Sequence, residues 1–284
     1  ALTVFTAQER KEWEPVIKEF EERTGWNVRV ETGSAKEMLS QLEKEEADWD
    51  VAFGVSADAL EEGKEYWQTG KDAWTGYSAV SFVILYNTNV VTYRELPTGW
   101  DSLLEPRWKG RVAVPDPLKS DMAASVLTEA AKNSEKEEFL DLLAENMQYQ
   151  MPETFKEVEQ GISDGRYSIG VTSEEAAKAM LAAGQDVDYI DPEEGECFFE
   201  DGTAIRKRTP NLDASEAFVT YTTCDDTKWL LRTQLLRQPA EDVAAENDRS
   251  DEDLKQRYSR QQEVLNIWKL IMEEKSGSAH EQEQ

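Results

Sequence analysis

Short apolar segments alternate with longer amphipathic segments over the first 60 residues, and this alternation constrains the fold more than any other feature of the sequence. Residues 2–5 form an apolar run, and apolar side chains then recur at helical spacing as far as Gly25. Residues 27–30 alternate as a strand does, residues 38–42 carry the apolar face of a second helix, and residues 50–53 give a third strand. Successive strand–helix units of this kind predict a parallel sheet with right-handed crossovers.

The loops that leave these strands are expected to form one wall of a binding site. In a parallel sheet the carboxyl ends of the strands meet at one edge, so residues 6–8, 33–35 and 55–57 should converge there. Helix N-termini at such an edge offer unpaired N–H groups to an oxyanion. The predicted ligand contacts are Ala7, Gln8, Ser34, Ala35 and Ser56. Each serine also has a plain interpretation as a helix cap, and both interpretations stay open.

The pattern of the first lobe recurs after an apolar strand at residues 80–86. With 284 residues the chain is long enough for two separate cores. We therefore predict an α/β protein of two lobes, each a mostly parallel sheet flanked by helices, with two hinge crossings. The predicted lobe I comprises residues 1–81 and 204–284, and lobe II comprises residues 82–203.

Two helix starts in lobe II are expected to form the opposing wall. A strand at residues 112–114 leads to one helix, and a strand at residues 167–171 leads to another. The predicted contacts at these starts are Lys119, Ser120, Asp121, Thr172, Ser173 and Glu174. The acidic members also suit a solvated first helical turn. Tyr77 and Trp74 can stack on a ligand or serve as packing.

Charge limits the possible partners. The sequence has 31 Lys and Arg against 59 Asp and Glu, a formal net charge of −28. Such a surface repels nucleic acid and anionic membranes, so we expect no nucleic-acid partner. The acidity either confers solubility or attracts a cationic ligand. No stretch approaches the roughly 20 apolar residues of a membrane span, and no leader precedes Leu2, as expected for a mature, processed chain.

Few residues offer covalent or metal chemistry. The only histidine, His280, lies in a polar tail over residues 276–284 that is predicted to be disordered, so Ser–His and Cys–His nucleophile systems lack a base. Cys197 and Cys224 either form one disulfide or remain free thiols. We expect no cofactor, no bound metal and no enzyme activity, although Glu9 and Glu174 are a conceivable acid–base pair.

One segment in the middle of the chain has a clear family resemblance. Residues 103–117 read LLEPRWKGRVAVPDP, and companion motifs follow in order at residues 24–26, 86–88, 191–195 and 201–205. On these motifs the chain resembles the bacterial extracellular solute-binding proteins of ABC transporters, in the group related to ferric-binding proteins. The resemblance covers about four fifths of the sequence. It implies a periplasmic-binding-protein type II fold, a clamshell of two lobes.

The resemblance also implies a function. Such a protein captures a small molecule between its lobes by hinge closure and delivers it to a membrane permease. It would act outside the cytoplasm, in the periplasm or as a cell-surface lipoprotein after removal of a signal peptide, and we expect a monomer. A ligand sensor that docks on a membrane receptor would share these features and stays open as an alternative.

The ligand is predicted from departures from the family pattern. Ferric binders of this group hold iron with two adjacent tyrosines at the segment that reads VTSEE here, residues 171–175, and often with a histidine in the first loop. Neither feature is present. Relatives without the tyrosines bind phosphorylated or phosphonate-bearing molecules, so we expect an oxyanion-bearing ligand. Iron capture is the alternative, and it would depend on the carboxylates of Glu9, Asp58, Asp121 and Glu174.

Overall fold

The computed structural model describes residues 1–68, 72–244 and 251–282. The chain divides into two compact units: unit 1 comprises Ala1–Ala79 and Glu200–Ser259, and unit 2 comprises Val80–Phe199 and Arg260–Gln284. Two of the boundaries lie within four residues of those expected from sequence. The division differs at the C-terminus, because residues 260–284 group with unit 2, whereas the sequence placed them in lobe I. The chain therefore passes between units at three places.

The described residues contain these strands in chain order: β1 (Leu2–Thr6), β2 (Val28–Thr32), β3 (Val51–Ser56), β4 (Thr75–Asn87), β5 (Val112–Ala113), β6 (Ile169–Ser173), β7 (Val187–Ile190), β8 (Cys197–Ile205) and β9 (Gln238–Pro239). Strands β4 and β8 each contribute residues to both units.

The α-helices are α1 (Arg10–Thr24), α2 (Ala35–Glu43), α3 (Ala57–Glu62), α4 (Asp121–Asn133), α5 (Phe139–Asn146), α6 (Phe155–Ser163), α7 (Glu174–Ala182), α8 (Leu212–Thr222), α9 (Asp225–Leu230), α10 (Ala240–Ala244) and α11 (Asp251–Gln282). Short 3₁₀ segments occur at Lys64–Tyr66, Tyr93–Glu95, Trp100–Leu104 and Pro106–Trp108, and a π-helical turn occurs at Leu231–Leu235.

The sheet of unit 1 contains the strand–helix units that the sequence predicts. Strand β1 pairs in parallel with β2 on one side and with β3 on the other. Strand β8 then runs antiparallel to β3, with Ser56 opposite Asp201, and β9 pairs with β4. Every side chain of β1 and β3 is buried, as is typical of parallel strands covered on both faces. Thr6 lies opposite Thr32, so the loops after β1 and β2 leave the same edge.

Helix α1 shows how local sequence sets the boundaries of an element. The helix buries Val16, Ile17 and Phe20 on one face. It ends where Gly25 adopts the left-handed conformation, at φ 74°, and the Gly25 N–H donates to the Glu21 carbonyl oxygen. Glycine reaches this conformation without a Cβ clash, which makes it a common helix terminator. The end of α1 at Gly25 agrees with the sequence prediction.

The sheet of unit 2 is mixed, whereas the sequence predicts mostly parallel pairing. Strand β4 pairs antiparallel with both β6 and β7, and only β5 and β6 run in parallel. The strand–helix alternation that indicates parallel pairing accounts for β5 and β6 alone. The apolar run of β4 carries no signal of direction, since buried strands read alike in either orientation.

Four expectations about local structure need revision. Strand β6 begins at Ile169 and ends at Ser173, two residues later than expected. The helix expected over residues 229–236 is divided into α9 and the π-helical turn. The tail expected to be disordered is helical through Gln282, as part of α11. The first residues of α11 also take the place of the end of the polar insertion expected at residues 241–253. Residues 245–250 of that insertion lie outside the described residues.

The disulfide interpretation is wrong, because both cysteines are free thiols. Cys197 is buried in the hydrophobic core of unit 2, where a thiol packs as a small apolar group. Cys224 is half-buried in unit 1, and its Sγ lies 3.5 Å from Thr227 Oγ1. Cys197 thus belongs to unit 2 and Cys224 to unit 1.

An aromatic cluster in unit 1 gives a test of the core. The ring of Phe218 packs edge-on against Phe20 and Phe53, at centroid distances of 5.0 and 5.2 Å. We expect Phe218→Ala to lower the free energy of unfolding by about 3–5 kcal/mol, because a buried cavity replaces the ring. The control Glu216→Ala removes an exposed side chain from the same helix and should change it by less than about 0.5 kcal/mol. Urea unfolding followed by circular dichroism measures both, and equal effects would contradict this packing.

Candidate functional site

The carboxyl edge of the unit 1 sheet positions Gln8 directly after β1. The Gln8 backbone N–H donates to Thr6 Oγ1 at 3.2 Å, which turns the chain at the end of the strand. The Gln8 side chain lies against Gly54 of β3, where any added Cβ would collide with the Gln8 amide group. Gly54 also has a positive φ of 61°, which glycine adopts at no steric cost. The glycine in β3 therefore makes the space that Gln8 occupies.

Three buried polar atoms at this edge have no hydrogen-bond partner among the described residues. They are Gln8 Oε1, Ser56 Oγ and Asp58 Oδ2, on residues that are 8%, 3% and 4% exposed. About nine in ten buried polar groups in proteins are hydrogen-bonded, so several unpartnered atoms at one edge are uncommon. Such atoms are available to a ligand.

Asp58, in the first turn of α3, is kept towards its neutral form. Burial raises the pKa of its carboxyl group above the ordinary value of 3.8. The Ser56 hydroxyl and the positive charge of Arg257 oppose this shift without cancelling it. The Ser56 hydroxyl is near enough to favour the charged form of Asp58, although Ser56 Oγ makes no hydrogen bond of good geometry.

A buried ion pair lies behind this edge. Arg237 is 4% exposed, and its Nη1 donates to Asp201 Oδ2 at 2.8 Å and to Ser78 Oγ at 2.9 Å. Its Nη2 donates to Glu12 Oε1 at 2.8 Å. Burial works to raise the pKa of Glu12, but the charge and hydrogen bond of Arg237, together with the Glu9 backbone and the charge of Lys11, lower it on balance. Arg237 thus links α1, β4 and β8 within unit 1.

Asp201 is the centre of this network. Its Oδ1 accepts from the Ser78 N–H at 3.1 Å and from Ser78 Oγ at 2.8 Å. Its Oδ2 accepts from Gln8 Nε2 at 2.9 Å as well as from Arg237. Burial raises the pKa of Asp201 above the ordinary value of 3.8, and Arg237, Ser78 and Gln8 oppose this shift without cancelling it. Each carboxylate oxygen already accepts two hydrogen bonds, which leaves no position for a proton.

The backbone before Arg237 explains how this side chain reaches the interior. The π-helical turn Leu231–Leu235 ends at Leu236, which adopts the left-handed conformation with φ 52°. The Arg237 N–H then donates to the Leu231 carbonyl oxygen at 3.1 Å, which closes the turn. π-Helical turns are rare and are often found at functional sites.

The carboxyl edge of β5 and β6 in unit 2 presents two capping serines. Ser120 Oγ caps α4 by accepting from the Ala123 N–H at 3.3 Å, and Ser173 Oγ caps α7 by accepting from the Ala176 N–H at 3.2 Å. The Thr172 hydroxyl is fully buried and donates to Glu159 Oε1 at 2.7 Å, so it is not a cap.

The charged residues predicted for this edge already have partners. Lys119 forms an exposed ion pair with Glu153 at 3.3 Å. Glu174 pairs with Lys178 at 2.9 Å, one helical turn along α7. Asp121 is partly buried in the first turn of α4. Surface ion pairs contribute about 0–1 kcal/mol, so these residues remain available to exchange partners.

Several predicted unit 1 residues have structural surroundings of their own. The Ser34 hydroxyl donates to Glu37 Oε2 at 3.1 Å within a capping box. Ala35 is buried in the core, and Ala7 is partly buried beside it. Tyr77 is 2% exposed, and its ring lies 4.7 Å from that of Phe53. Its ring is therefore part of the unit 1 core. Trp74 Nε1 donates to Glu61 Oε2 at 3.2 Å.

The structure adds residues that sequence reasoning missed. The sequence indicates Asp58 only as a possible iron ligand, and Asp201 only as the first residue of a family motif. Ser78, Glu12 and Arg237 had not been singled out, and no pattern in the sequence marks them. In the described parts of the chain no three His, Cys, Asp or Glu side chains are grouped as ligands for a metal ion. Nor does any described helix combine the length and the apolar character of a membrane span.

Comparison with known proteins identifies relatives. A family model described as bacterial extracellular solute-binding protein matches residues 35–262. Among curated proteins, Iron uptake protein A1 of Synechocystis sp. is 23% identical over 262 residues, which cover 81% of this chain and 69% of that protein.

Solved structures show the same fold at low sequence identity. The ferric binding protein from Campylobacter jejuni is 17% identical with a TM-score of 0.75, covering 95% of this chain and 99% of that one. The periplasmic binding protein AfuA from Actinobacillus pleuropneumoniae, with exogenous fructose-6-phosphate bound, is 14% identical with a TM-score of 0.77, covering 96% and 98%. The predicted periplasmic-binding-protein type II fold is confirmed by these likenesses.

The buried carboxyl of Asp58 gives a pH-dependent prediction. Above the ordinary value of 3.8, the unfolded chain releases this proton before the folded chain does, so the stability of the wild type falls as pH rises towards the folded pKa. Asp58→Asn stays neutral, so its stability relative to the wild type should increase across that window. Urea unfolding from roughly pH 4 to pH 8 measures the difference. A flat profile for Asp58→Asn would contradict the assignment.

Proposed function

The chain belongs to the family of bacterial extracellular solute-binding proteins, and on that premise we propose that it captures a small oxyanion-bearing ligand, a phosphorylated sugar or a phosphonate. Proteins of this family are non-enzymatic transport components, which bind small ligands and dock on the permease of an ABC importer. The ligand class is our inference from the polar atoms of the two sheet edges.

The capping serines of unit 2 supply the observation that carries this proposal. A hydroxyl group has one donor and two acceptor sites. Ser120 and Ser173 use an acceptor site for their caps, and among the described residues neither hydroxyl donates to another group. Each O–H therefore stays available at a helix N-terminus, where backbone N–H groups and the helix dipole favour an anion.

The polar atoms of unit 1 suit the other part of such a ligand. Gln8 Oε1 is an acceptor, and Ser56 Oγ can donate or accept. A sugar phosphate carries hydroxyl groups besides its oxyanion, and an aminophosphonate carries an ammonium group. Either ligand matches a set of acceptors together with a set of donors. Of the relatives compared, AfuA has fructose-6-phosphate bound.

Ferric iron is the alternative ligand, and one observation favours it. Asp58 has a buried carboxyl oxygen without a partner, which is a donor atom that hard Fe(III) accepts. Iron uptake protein A1 and the Campylobacter ferric binding protein are among the relatives. Against iron, residues 171–175 offer no phenolate, and among the described residues no three His, Cys, Asp or Glu side chains are grouped as metal ligands.

Capture requires no bond to be made or broken. In the proposed mechanism the ligand bridges the two sets of polar atoms and stabilises a closed form of the protein by its differential affinity for that form. The closed protein then delivers the ligand to the permease.

The proposal extends to location and partners. We expect the protein to work outside the cytoplasmic membrane, in the periplasm or as a cell-surface lipoprotein, and as a monomer. Its net charge of −28 opposes nucleic-acid binding. A sensor that docks on a membrane receptor would use the same capture step, and a pull-down of the membrane partner separates it from a transporter.

Ser173→Ala tests the oxyanion contact. In a thermal-shift screen of fructose 6-phosphate, 2-aminoethylphosphonate and Fe(III)-citrate, a ligand at 100 times its Kd stabilises the protein by about 2.7 kcal/mol. Calorimetry of the best phosphorylated ligand should show that Ser173→Ala weakens binding by about 10- to 100-fold, because a charge-assisted hydrogen bond is lost.

The matched control is Thr92→Ala. Thr92 also stands at the N-terminus of a helical segment of unit 2, where its hydroxyl donates to Glu95 Oε2 at 2.6 Å, but it follows the carboxyl end of β4, at the opposite edge of the sheet. Both variants lose about 1 kcal/mol of cap stability, whereas Thr92→Ala should leave ligand affinity unchanged. Equal affinities in the two variants would reject the contact, and a thermal shift with Fe(III)-citrate alone would favour the iron alternative.

Asp58→Asn separates the two ligand classes directly. The amide stays neutral and retains an N–H donor, so binding of a phosphorylated ligand at neutral pH should be retained or strengthened. An iron site that used this carboxyl would lose a charged oxygen ligand, which Fe(III) prefers over an amide. Parallel titrations with fructose 6-phosphate and Fe(III)-citrate make the comparison. The proposal would be overturned if Asp58→Asn lost the iron binding of the wild type while neither protein bound fructose 6-phosphate.

A further inference from the structure

Gln8 has its amide group held in one orientation. The Asp201 carboxylate accepts four hydrogen bonds and has no proton to offer, so only the amino group of the Gln8 amide can face it. Gln8 Nε2 donates to Asp201 Oδ2 at 2.9 Å. Gln8 Oε1 is consequently turned away from the carboxylate, and it is buried without a partner.

Arg237 supports this orientation by donating to the same Asp201 oxygen as Gln8 does. Its guanidinium contacts Asp201 Oδ2 and Ser78 Oγ, and Ser78 in turn donates to Asp201 Oδ1. An arginine stays protonated under all ordinary conditions. Arg237 therefore offers Asp201 only hydrogen-bond donors at any ordinary pH, and the oxygen that Asp201 turns towards Gln8 is held as an acceptor.

We propose that Asp201, held by Arg237 and Ser78, is a specificity-determining positioning residue that makes Gln8 present only its carbonyl oxygen to the ligand. A carbonyl oxygen accepts from a hydroxyl or ammonium group and repels an oxyanion. Gln8 thus selects a ligand that carries a donor group and directs the oxyanion of that ligand away from this edge. The inference rests on the proposed function and adds which end of the ligand unit 1 recognises.

The chemical consequence is a requirement for two groups on one ligand. The P–OH donors of inorganic phosphate are attached to the oxyanion itself, so a donor to Gln8 Oε1 brings the negative charge with it, whereas fructose 6-phosphate carries several hydroxyls that are separate from its phosphate. The wild-type protein is expected to bind fructose 6-phosphate more tightly than inorganic phosphate. The ratio of the two dissociation constants then measures recognition of the donor group, separately from recognition of the oxyanion.

Gln8→Met and Asp201→Asn change this ratio by different routes. Gln8→Met keeps the length of the side chain and removes the carbonyl oxygen, so we expect the ratio to fall by about 2- to 10-fold, the equivalent of one hydrogen bond. Asp201→Asn places an amide next to Gln8, which frees the Gln8 amide to rotate, and the ratio should fall by a similar factor. Calorimetry with the two phosphate probes measures both variants.

Two further variants separate positioning from general damage. Ser215→Ala removes a buried hydroxyl elsewhere in unit 1, whose hydrogen bond goes to the Asn211 carbonyl oxygen, so it should lower stability without changing the ratio. The double variant Asp201→Asn with Gln8→Glu lets the introduced carboxylate accept from the introduced amide and present an oxygen to the ligand again. This variant should restore the ratio. All titrations are made well below the melting temperature of each variant.

The outcomes distinguish the inference from the proposed function. If the wild type binds neither phosphate probe, the proposed function fails and the inference fails with it. The inference alone is overturned if the wild type binds both probes but Gln8→Met weakens the affinity for each probe by the same factor. It is likewise overturned if Asp201→Asn leaves the ratio of the two dissociation constants unchanged. A fall in the ratio in both single variants, with rescue in the double variant, supports it.

Discussion

The buried ion pair of Arg237 with Asp201 is the interaction on which the arrangement of unit 1 depends. Removing one partner from such a pair typically costs about 3–5 kcal/mol, because the other charge is left uncompensated in a medium of low dielectric constant. Glu12 and Ser78 satisfy the remaining hydrogen-bonding capacity of the guanidinium and the carboxylate. Elements that are distant in sequence therefore have one mutual arrangement in which no charge is unpaired.

That arrangement leaves other groups unsatisfied at the adjacent sheet edge. An unpartnered buried polar group costs about 1–3 kcal/mol, and Gln8, Ser56 and Asp58 each carry one. A chain selected for stability alone would fill these positions with apolar side chains. Their presence beside a fully satisfied ion pair supports the proposed ligand site at this edge, with the ion pair offsetting part of the cost.

Local patterns account for the predictable part of the fold. The period of apolar side chains predicts β1, α1, β2, α2 and β3, and Gly25 marks the end of α1. The pairing direction of β4 and the path to Arg237 escape prediction for a common reason. Both depend on partners far along the chain: the bond between Gln8 and Asp201 spans 193 residues. The packing of Tyr77 against Phe53 likewise depends on tertiary structure, so the sequence does not reveal it.

The serines show that part of the candidate site could nevertheless have been distinguished from sequence. Ser34, Ser120 and Ser173 all cap helices, so residue type and position do not separate them. The residue three positions later does. The Glu37 carboxylate accepts a hydrogen bond from the Ser34 hydroxyl in a reciprocal capping box. Ala123 and Ala176 have no side-chain acceptor. A capping serine followed by Glu at this position is occupied by its own helix, and one followed by Ala keeps its O–H for a ligand. The pattern S-x-x-A at a predicted sheet edge thus separates capping serines whose O–H is not used by their own helix from those, such as Ser34, whose O–H is.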